Sequence, residues 1–490
     1  MNNNDLRLLL HSKIALLALE TYDETRALNI LCDTFRQAQR PAFQWSLTEG
    51  LAPLGFGLEL KQPDLYCQAT DVLAYIKQQA APAAFVLRDI HPFLDDPMVV
   101  RLIKDITLGG PNRAAHKLVL LSYRLQLPPE LARYAASVQL SIPTDEEILA
   151  LVREEARSWA QVNKVKRIRT DSAALRKLVD NLRGLPHQDV RRLAHGAIAD
   201  DGAITEADLP EVTRAKFELM DMEGVLHFEY STAHMGDVAG FHHLKAWLNA
   251  RRRALTESDI GDKPKGVLLF GVQGGGKSLA AKAIAGIWGL PLLRLDMAAL
   301  YNKYVGETER NLRESLKLAD TMSPCILWMD EIEKGLSSGD SDNGTSQRLL
   351  GTLLTWMAER KTPVFIVATS NDISQLPPEL MRKGRFDEIF FVDLPDVATR
   401  AHILAIHLEK RGIDSVTMPL DQLAEIADGF TGAEIEQAVV SAIYAAAADR
   451  ESVCEQDVAK AMQQTQPLSV VMAEQLAALQ EWARERAVRA

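Results

Sequence analysis

Short apolar runs recur along the chain and alternate with segments that are long enough for helices. They occupy residues 14–19 and 118–122 in the first half, and 266–270, 325–329 and 364–369 in the second. Uninterrupted apolar runs of this length are typical of strands buried on both faces. The pattern therefore predicts an α/β fold in which a parallel sheet carries helices on both faces.

The composition is that of a folded protein in a reducing compartment. Of 490 residues, 47% are hydrophobic and 25% are charged, the net charge is −11, and the four cysteines are widely separated without a Cys-x-x-Cys pair. This length suggests about three compact units. The cysteine pattern argues against a thiol-ligated zinc site, and the acidic balance argues against a nucleic-acid partner.

No apolar run approaches the roughly 18 residues that span a bilayer. The stretch Leu8–Leu19 contains His11 and Lys13 and lacks the pattern of a cleaved leader, so we expect a core strand there. We accordingly expect no membrane segment and a cytoplasmic location.

The segment Gly271–Ser278 satisfies the phosphate-loop pattern G-x-x-x-x-G-K-[ST]. A predicted strand (266–270) precedes it and a predicted helix (279–288) follows it, which is the context that phosphate binding requires. Backbone N–H groups of such a loop point at phosphate oxygens, Lys277 would reach the β- and γ-phosphates, and Ser278 would ligate Mg²⁺. A glycine-rich turn with a chance lysine is the alternative.

Polar residues follow two further predicted strands. Asp330 and Glu331 end the run 325–329, where a metal ligand and a residue that polarises water are expected beside a phosphate loop. Asn371 follows the run 364–369, and its amide can orient that water.

Arg382 and Arg385 flank Gly384 eleven residues beyond Asn371. Arginines of this kind stabilise charge on a transferring phosphoryl group if they reach it from another subunit. In isolation, the same residues would be interpreted as surface ion pairs.

Together these residues resemble the AAA ATPases over roughly residues 225–465. The resemblance implies ATP and Mg²⁺ as cofactors, Glu331 and Asn371 as catalytic residues, Ser278 and Asp330 as metal ligands, and a homo-oligomeric ring, usually a hexamer. It identifies Arg382 and Arg385 as arginine fingers that complete the site of a neighbouring subunit. The nucleotide-binding positions it implies are Asp237, Ala239, Gly271, Gly274, Gly275, Gly276, Lys277, Ser278, Leu279, His407, Gly432 and Ala433.

The segment Tyr304-Val305-Gly306 resembles the first pore loop of these rings. An aromatic side chain offers large contact area with little selectivity, which suits gripping varied polypeptides. The alternative is a half-buried tyrosine at the start of a helix, and for His407 it is an ordinary helix histidine.

The chain departs from the family pattern in the phosphate loop. Val272, Gln273 and Gly275 stand where the family usually has two prolines and a threonine. We expect a more flexible loop and therefore weaker nucleotide binding or slower turnover.

The first half repeats features of the second without its chemistry. The strand 118–122 and the Pro-Pro pair at 128–129 parallel the strand 365–369 and the pair at 377–378, and Ile90 stands where the catalytic glutamate would be. Acidic residues at 20–24 replace the phosphate loop and would repel phosphate. We infer a degenerate AAA module, although coincidence between two parallel-sheet domains is the alternative; such a tandem resembles the plastid and cyanobacterial hypothetical-chloroplast-reading-frame AAA proteins.

The expected organisation has five parts. They are a degenerate AAA-like α/β domain (1–143), a helical lid-like domain or linker (144–215), an active AAA core with a parallel P-loop NTPase sheet (225–396), a helical lid (397–465) and a C-terminal helix (466–490).

The leading functional hypothesis is a ring ATPase that remodels or translocates a protein substrate delivered directly or by an adaptor. The second is a nucleotide-dependent regulatory switch or scaffold with slow ATPase activity. A DNA helicase or clamp loader comes third, because the net charge of −11 argues against it.

Overall fold

The computed structural model describes residues 8–10, 12, 14–55, 66–109, 115–165, 168–220, 225–230, 235–256, 262–297, 299–300, 307–336, 344–382, 384–449 and 452–490. The chain divides into two compact units, which are the first module (Met1–Ile204) and the second module (Thr205–Ala490). The finer domain boundaries expected from the sequence stay predictions.

The first module is an α/β unit followed by helices. Its strands are β1 Leu16–Glu20, β2 Ala42–Ser46, β3 Gly50–Pro53, β4 Ala84–Arg88, β5 Lys117–Ser122, β6 Ala135–Gln139, β7 Arg169–Thr170 and β8 Ala203–Ile204. Its helices are α1 Glu24–Gln37, α2 Ala69–Gln78, α3 Pro97–Leu108, α4 Pro129–Ala132, α5 Asp145–Val162, α6 Ser172–Leu182 and α7 His187–Ala199.

The second module has the same plan. Its strands are β9 Leu226–Phe228, β10 Gly266–Gly271, β11 Leu292–Asp296, β12 Cys325–Asp330, β13 Val364–Ser370, β14 Glu388–Val392 and β15 Val488–Arg489. Its helices are α8 Leu209–Met220, α9 His242–Thr256, α10 Lys277–Trp288, α11 Glu307–Thr321, α12 Ile332–Leu336, α13 Thr345–Glu359, α14 Val397–Glu409, α15 Leu420–Ile426, α16 Gly432–Asp449, α17 Glu455–Gln463, α18 Leu468–Val471 and α19 Ala473–Arg486.

The two sheets share one order of parallel strands. The first runs β3-β2-β4-β5-β1-β6 and the second runs β15-β14-β10-β13-β12-β11-β9. In each sheet, the first parallel strand along the chain (β1 or β10) lies between the fourth and the fifth (β5 and β6, or β13 and β14). An antiparallel strand, β3 or β9, lies at one edge of each sheet. The repeat inferred from the sequence is therefore a repeat of fold.

Both faces of the second sheet are covered, as the unbroken apolar runs predict. Along β10, Leu268 and Phe270 pack into one buried cluster, while Val267 and Leu269 pack into another on the opposite face. Side chains of a strand alternate between faces, so a strand in the middle of a covered sheet needs apolar residues at every position.

The end of the acidic strand corrects the sequence interpretation of the first module by one residue. Glu331 follows β12 with φ 48°, and Asp89 follows β4 with φ 50°, so both take the uncommon left-handed conformation. The next residues, Ile332 and Ile90, are both buried. Ile90 therefore corresponds to Ile332, and Arg88, not Asp89, stands at the position of Asp330.

The loop that follows the first strand also differs between the modules. In the first module three residues (21–23) join β1 to α1, whereas five (272–276) join β10 to α10. Asp23 caps α1, and its carboxylate accepts the N–H of Arg26 at 3.2 Å. The helix N-terminus that would face a phosphate is thus occupied by the chain's own carboxylate.

The C-terminal segment is more than the charged helix expected from the sequence. Helix α19 ends at Arg486, and Val488 and Arg489 then pair in parallel with β14 as the strand β15. Ala483 is buried in the core of the same module, and the Trp482 ring packs edge-on to Phe270 with centroids 5.0 Å apart. The segment therefore packs on its own module and extends its sheet.

Among the described residues, no helix is both long and apolar enough to cross a membrane.

Candidate active site

A cavity of about 350 Å³ lies at the carboxyl end of β10 in the second module. It gathers most of the residues that the sequence singled out. These are Asp237, Ala239, Gly274, Gly275, Gly276, Lys277, Ser278, Leu279, Asp330, Glu331, Asn371, His407, Gly432 and Ala433. In a parallel sheet, ligands bind at this edge, where loops follow the strands.

The phosphate loop is held at its start and near its middle by backbone hydrogen bonds. The N–H of Val272 donates to the Val392 carbonyl at 3.1 Å, and the N–H of Ala433 donates to the Gly274 carbonyl at 3.2 Å. Gly276 precedes α10 with φ 91°, a conformation that favours glycine, and it offers no side chain to cap the helix. The first N–H groups of α10 are therefore available to an anion.

Lys277 is buried at the start of α10 and is 7% exposed. Its Nζ donates to the carbonyls of Gly271 at 2.9 Å and Val272 at 2.8 Å. Burial lowers the pKa of Lys277 to about 8, although Glu333, Asp330 and Glu331 pull it the other way. Gly271 thus takes part in the site through its carbonyl rather than as a lining residue.

The metal-binding residues implied by the resemblance lie together. Ser278 Oγ is 3.4 Å from Asp330 Oδ1, and both residues line the cavity. A hydroxyl and a carboxylate are the oxygen ligands that Mg²⁺ prefers, usually alongside phosphate oxygens and water. These two residues therefore fit a Mg²⁺ ion bound with a nucleotide.

Asn371 contacts the glutamate that is expected to polarise water. Its Nδ2 donates to Glu331 Oε1 at 2.8 Å, and Lys334 Nζ contacts the other carboxylate oxygen. The ion pair with Glu331 raises the pKa of Lys334. Both oxygens of Glu331 are thus engaged in this conformation.

The lid helices α14 and α16 also contribute residues to the cavity wall. His407 Nδ1 lies 3.5 Å from Glu436 Oε1, which also accepts from Arg411 at 2.9 Å. Burial lowers the pKa of His407, and the charge of Glu436 partly opposes this. Lys410 Nζ of the lid lies 3.6 Å from Asp237 Oδ1, so an ion pair links the lid to one of the predicted nucleotide-binding positions.

The two predicted arginine fingers do not line the cavity, and the three pore-loop residues cannot be placed. Arg382 is exposed beside a separate cavity of the same module. Arg385 is half-buried and donates to the Leu354 carbonyl. The pore-loop residues Tyr304, Val305 and Gly306 lie outside the described residues.

The structure adds residues that the sequence interpretation missed. Thr369 and Glu436 line the cavity, and the buried Glu333 accepts the backbone N–H of Asn371 at 2.9 Å. Thr369 precedes Asn371 by two positions, and strand periodicity places such residues on one side, which is a signal that could have identified it. Nothing in the local pattern distinguishes Glu333.

A phosphate loop, an acidic strand end and a neighbouring amide, on a parallel sheet with a helical lid, define a P-loop ATPase of the AAA+ class. A family model described as "ATPase family associated with various cellular activities (AAA)" matches residues 267–394. Models described as "SpoVK-like AAA ATPase, N-terminal domain" and "SpoVK-like AAA ATPase, second domain" match residues 2–140 and 146–223.

Curated relatives match along nearly the whole length. The chain is 33% identical over 496 residues to the "Uncharacterized AAA domain-containing protein ycf46" of Trieres chinensis, covering 99% of this chain and 97% of that protein. It is 33% identical to the protein of the same description from Pyropia yezoensis, over 98% of this chain and 97% of that one. It is 38% identical to the "Proteasome-activating nucleotidase" of Aeropyrum pernix over 37% of this chain and 46% of that protein.

The chain therefore belongs to the AAA ATPase family, and it binds and hydrolyses ATP. The first module is a degenerate member of the same fold, as the sequence repeat predicted.

Proposed function

We propose that the chain forms a ring, most simply a hexamer, which hydrolyses Mg²⁺-bound ATP at the boundaries between subunits and uses the energy to remodel or translocate protein substrates. Relatives of this fold typically assemble as rings. One relative is described as a nucleotidase that activates the proteasome, so its name refers to a protein assembly as its target.

The observation that carries the proposal is where the arginines lie. No arginine is among the described residues that line the cavity, whereas Arg382 is exposed elsewhere on the same module. Phosphoryl transfer generates charge that an arginine commonly stabilises. A neighbouring subunit would supply that cation.

Arg382 and Arg385 lie in a turn that is anchored to the sheet. The Asp387 carboxylate accepts the N–H groups of Lys265 at 2.6 Å and Gly266 at 3.0 Å, at the start of β10. The turn is therefore fixed to the start of β10, and the phosphate loop follows the other end of the same strand. This attachment would keep a constant distance between a subunit's arginines and its own phosphate loop.

Within one subunit, the residues of the phosphate loop and of the two neighbouring strand ends would carry out hydrolysis. Backbone N–H groups of the loop and Lys277 would bind the phosphates, and Ser278 and Asp330 would hold Mg²⁺. When bound, the ion offsets negative charge on the phosphate oxygens. Glu331 would accept a proton from the attacking water, and Asn371 would hold that glutamate in place.

Mixing two inactive variants tests the shared site. Arg382→Ala keeps its own cavity intact but lacks an arginine for its neighbour, whereas Glu331→Gln keeps the arginines but loses the base. We expect each alone to bind ATP with little turnover, and we expect equimolar co-assembly to restore part of the parent rate. Full activity of Arg382→Ala as a monomer at high dilution would contradict the proposal.

The substrate would be a polypeptide held in the ring's channel by Tyr304, Val305 and Gly306, and the location would be the cytoplasm. Tyr304→Ala is expected to keep basal ATPase activity and lose substrate remodelling. The Glu331→Gln variant with ATP would retain the engaged protein or adaptor, because release requires hydrolysis.

A second candidate is a nucleotide-dependent switch or scaffold with slow hydrolysis. It is favoured by the engagement of both Glu331 carboxylate oxygens, one by Asn371 and the other by Lys334. These two donors hold the carboxylate in one orientation, so an attacking water has to approach the lone pairs that they leave free. Partner affinity that is identical with ATP, with ADP and without nucleotide would argue against a switch.

A further inference from the structure

Thr369 lies near the end of β13 and is 1% exposed. The neighbouring parallel strand, β12, ends at Asp330, and Glu331 follows it. Its Oγ1 donates to Asp330 Oδ1 at 2.7 Å. The same oxygen accepts the backbone N–H of Glu331 at 3.0 Å. One hydroxyl therefore contacts both residues that the acidic strand end contributes to the site.

The direction of these hydrogen bonds follows from proton count. A hydroxyl has one proton and two lone pairs, while a backbone N–H can only donate. Because Glu331 N–H donates to Thr369, the single proton of Thr369 is free to bind Asp330, whose Oδ1 must accept it. Thr369 thus donates its one proton to the carboxylate that is expected to ligate the cation.

The contact with Glu331 compensates for an unusual backbone. Glu331 has φ 48°, which turns the chain at the end of β12. Its N–H donates to a side chain instead of to the neighbouring strand, and a buried N–H without a partner is costly. Thr369 supplies that partner.

Asp330 Oδ1 is shared between Thr369 and the phosphate-loop hydroxyl of Ser278, at 2.7 Å and 3.4 Å. Asp330 Oδ2 makes no hydrogen bond among the described residues, so it remains available to the water shell of a cation. Thr369 makes the shorter of the two contacts with Oδ1, so it holds the Asp330 carboxylate beside the end of β13.

We propose that Thr369 is a positioning residue for ATP hydrolysis, whose hydroxyl orients Asp330 toward the metal and fixes the backbone of Glu331. The proposal rests on the ATPase activity alone and does not depend on ring formation or on a protein substrate. Residues that orient a metal ligand typically change metal affinity or activity about 10–100-fold when they are replaced.

The chain offers a matched control at the next position. Ser370 is also buried, at 0% exposure, and its Oγ has no hydrogen-bond partner among the described residues. Replacing Ser370 with alanine removes a hydroxyl from the same strand without touching Asp330 or Glu331.

The test compares Thr369→Val, Thr369→Ser and Ser370→Ala in the full chain. Calorimetric titration of ADP at a series of Mg²⁺ concentrations measures metal dependence without turnover, and ADP binding in EDTA measures the phosphate loop by itself. Steady-state ATPase rates give kcat. Thermal unfolding identifies any variant that fails to fold, and Thr369→Ala replaces the valine variant in that case.

We expect Thr369→Val to bind ADP normally in EDTA. It should require about 10–100-fold more Mg²⁺ for the half-maximal change in ADP affinity, and its kcat should fall by a similar factor. Thr369→Ser should regain most of both, and Ser370→Ala should match the parent. Parental Mg²⁺ dependence in the valine variant, or equal loss in the valine and serine variants, would overturn the role of the hydroxyl. So would a comparable loss in Ser370→Ala.

Discussion

Arg88 Nε lies 3.2 Å from Glu24 Oε1 in the first module, at positions that match Asp330 and Lys277 in the second. Glu24 begins α1 as Lys277 begins α10, and Arg88 ends β4 as Asp330 ends β12. The basic and acidic positions are therefore exchanged between the modules. An ion pair lies where the second module has its phosphate-binding lysine and its metal-binding aspartate.

This exchange predicts that the chain binds one nucleotide, in the second module. The Asp23 carboxylate caps the N-terminus of α1, and Glu24 would repel phosphate at the position where a lysine would attract it. Equilibrium dialysis with radiolabelled ADP should give a stoichiometry of one per chain for the parent and none for Lys277→Ala. A second bound nucleotide, or binding that survives Lys277→Ala, would contradict this assignment.

The same ion pair should support the first module without affecting catalysis. Glu24→Gln is expected to cost only about 0.2–1 kcal/mol, the range for solvent-exposed ion pairs, because Arg88 keeps a second contact with Glu49 at 3.0 Å. Hydrogen exchange should quicken in residues of the first module only. The exchanged variant Glu24→Arg/Arg88→Glu is a control that restores an opposite-charge pair at these two positions.

The pKa of Lys277 predicts a pH dependence for nucleotide binding. Burial lowers this pKa to about 8 in the free protein, whereas bound phosphates would raise it. Binding above about pH 8 must therefore take up a proton, and affinity should fall by up to about tenfold per pH unit there. The free energy of unfolding changes in the opposite direction. Between about pH 8 and the higher pKa of the unfolded chain, the unfolded state binds more protons than the folded state, so the free protein should gain stability as the pH rises.

Calorimetry at pH 9 in buffers of different ionisation enthalpy measures that proton uptake directly. Lys277→Arg provides the comparison, since arginine stays charged throughout this range. Equal pH dependence in the lysine and arginine proteins would place the titrating group elsewhere.

The sequence identified the parallel sheet and most of the cavity because their signals are local. The phosphate loop is a contiguous motif, and Asp330 and Asn371 each follow an apolar run that is long enough to be a buried strand. The contacts of Thr369 and Glu333 could not be predicted in the same way, because they are hydrogen bonds between residues 38 positions apart in the chain. The strand β15 was missed because Val488 and Arg489 are too short to show a period.

The one-residue error at Ile90 has a related cause. An apolar run marks a strand but not the residue at which it ends, and a shift of one position exchanges Arg88 with Asp89. The left-handed backbone of Asp89 and Glu331, together with the buried isoleucine that follows each, fixes the correspondence. The charge exchange with Glu24 became visible after that correction.

Gly275 fills a place in the phosphate loop that leaves little room for a side chain. A Cβ there would lie 3.0 Å from the Val272 carbonyl and 3.1 Å from Val392 Cγ1. Gly275→Ala should therefore cost about 1–3 kcal/mol in stability, through overpacking rather than backbone strain. Thermal unfolding and ADP titration would measure the loss of stability and any change in the loop.

Val392 provides the matched test of that explanation. Val392→Ala removes Cγ1, so the double variant Gly275→Ala/Val392→Ala should be more stable than the sum of the single effects predicts. Simple additivity would show that the Val272 carbonyl, and not Val392, limits the space.

Trp482 should connect the C-terminal helix to the strand that carries the phosphate loop. Its ring packs edge-on to Phe270, with centroids 5.0 Å apart, and Phe270 directly precedes Gly271. Trp482→Ala removes a half-buried aromatic side chain and should cost about 2–3 kcal/mol, less than a fully buried tryptophan. Because β10 then loses packing on that face, ADP affinity should fall as well. Trp482→Phe keeps an aromatic contact and should retain most of both properties. If Trp482→Ala lowered stability but left ADP affinity at the parental value, the helix would support the fold without influencing the loop.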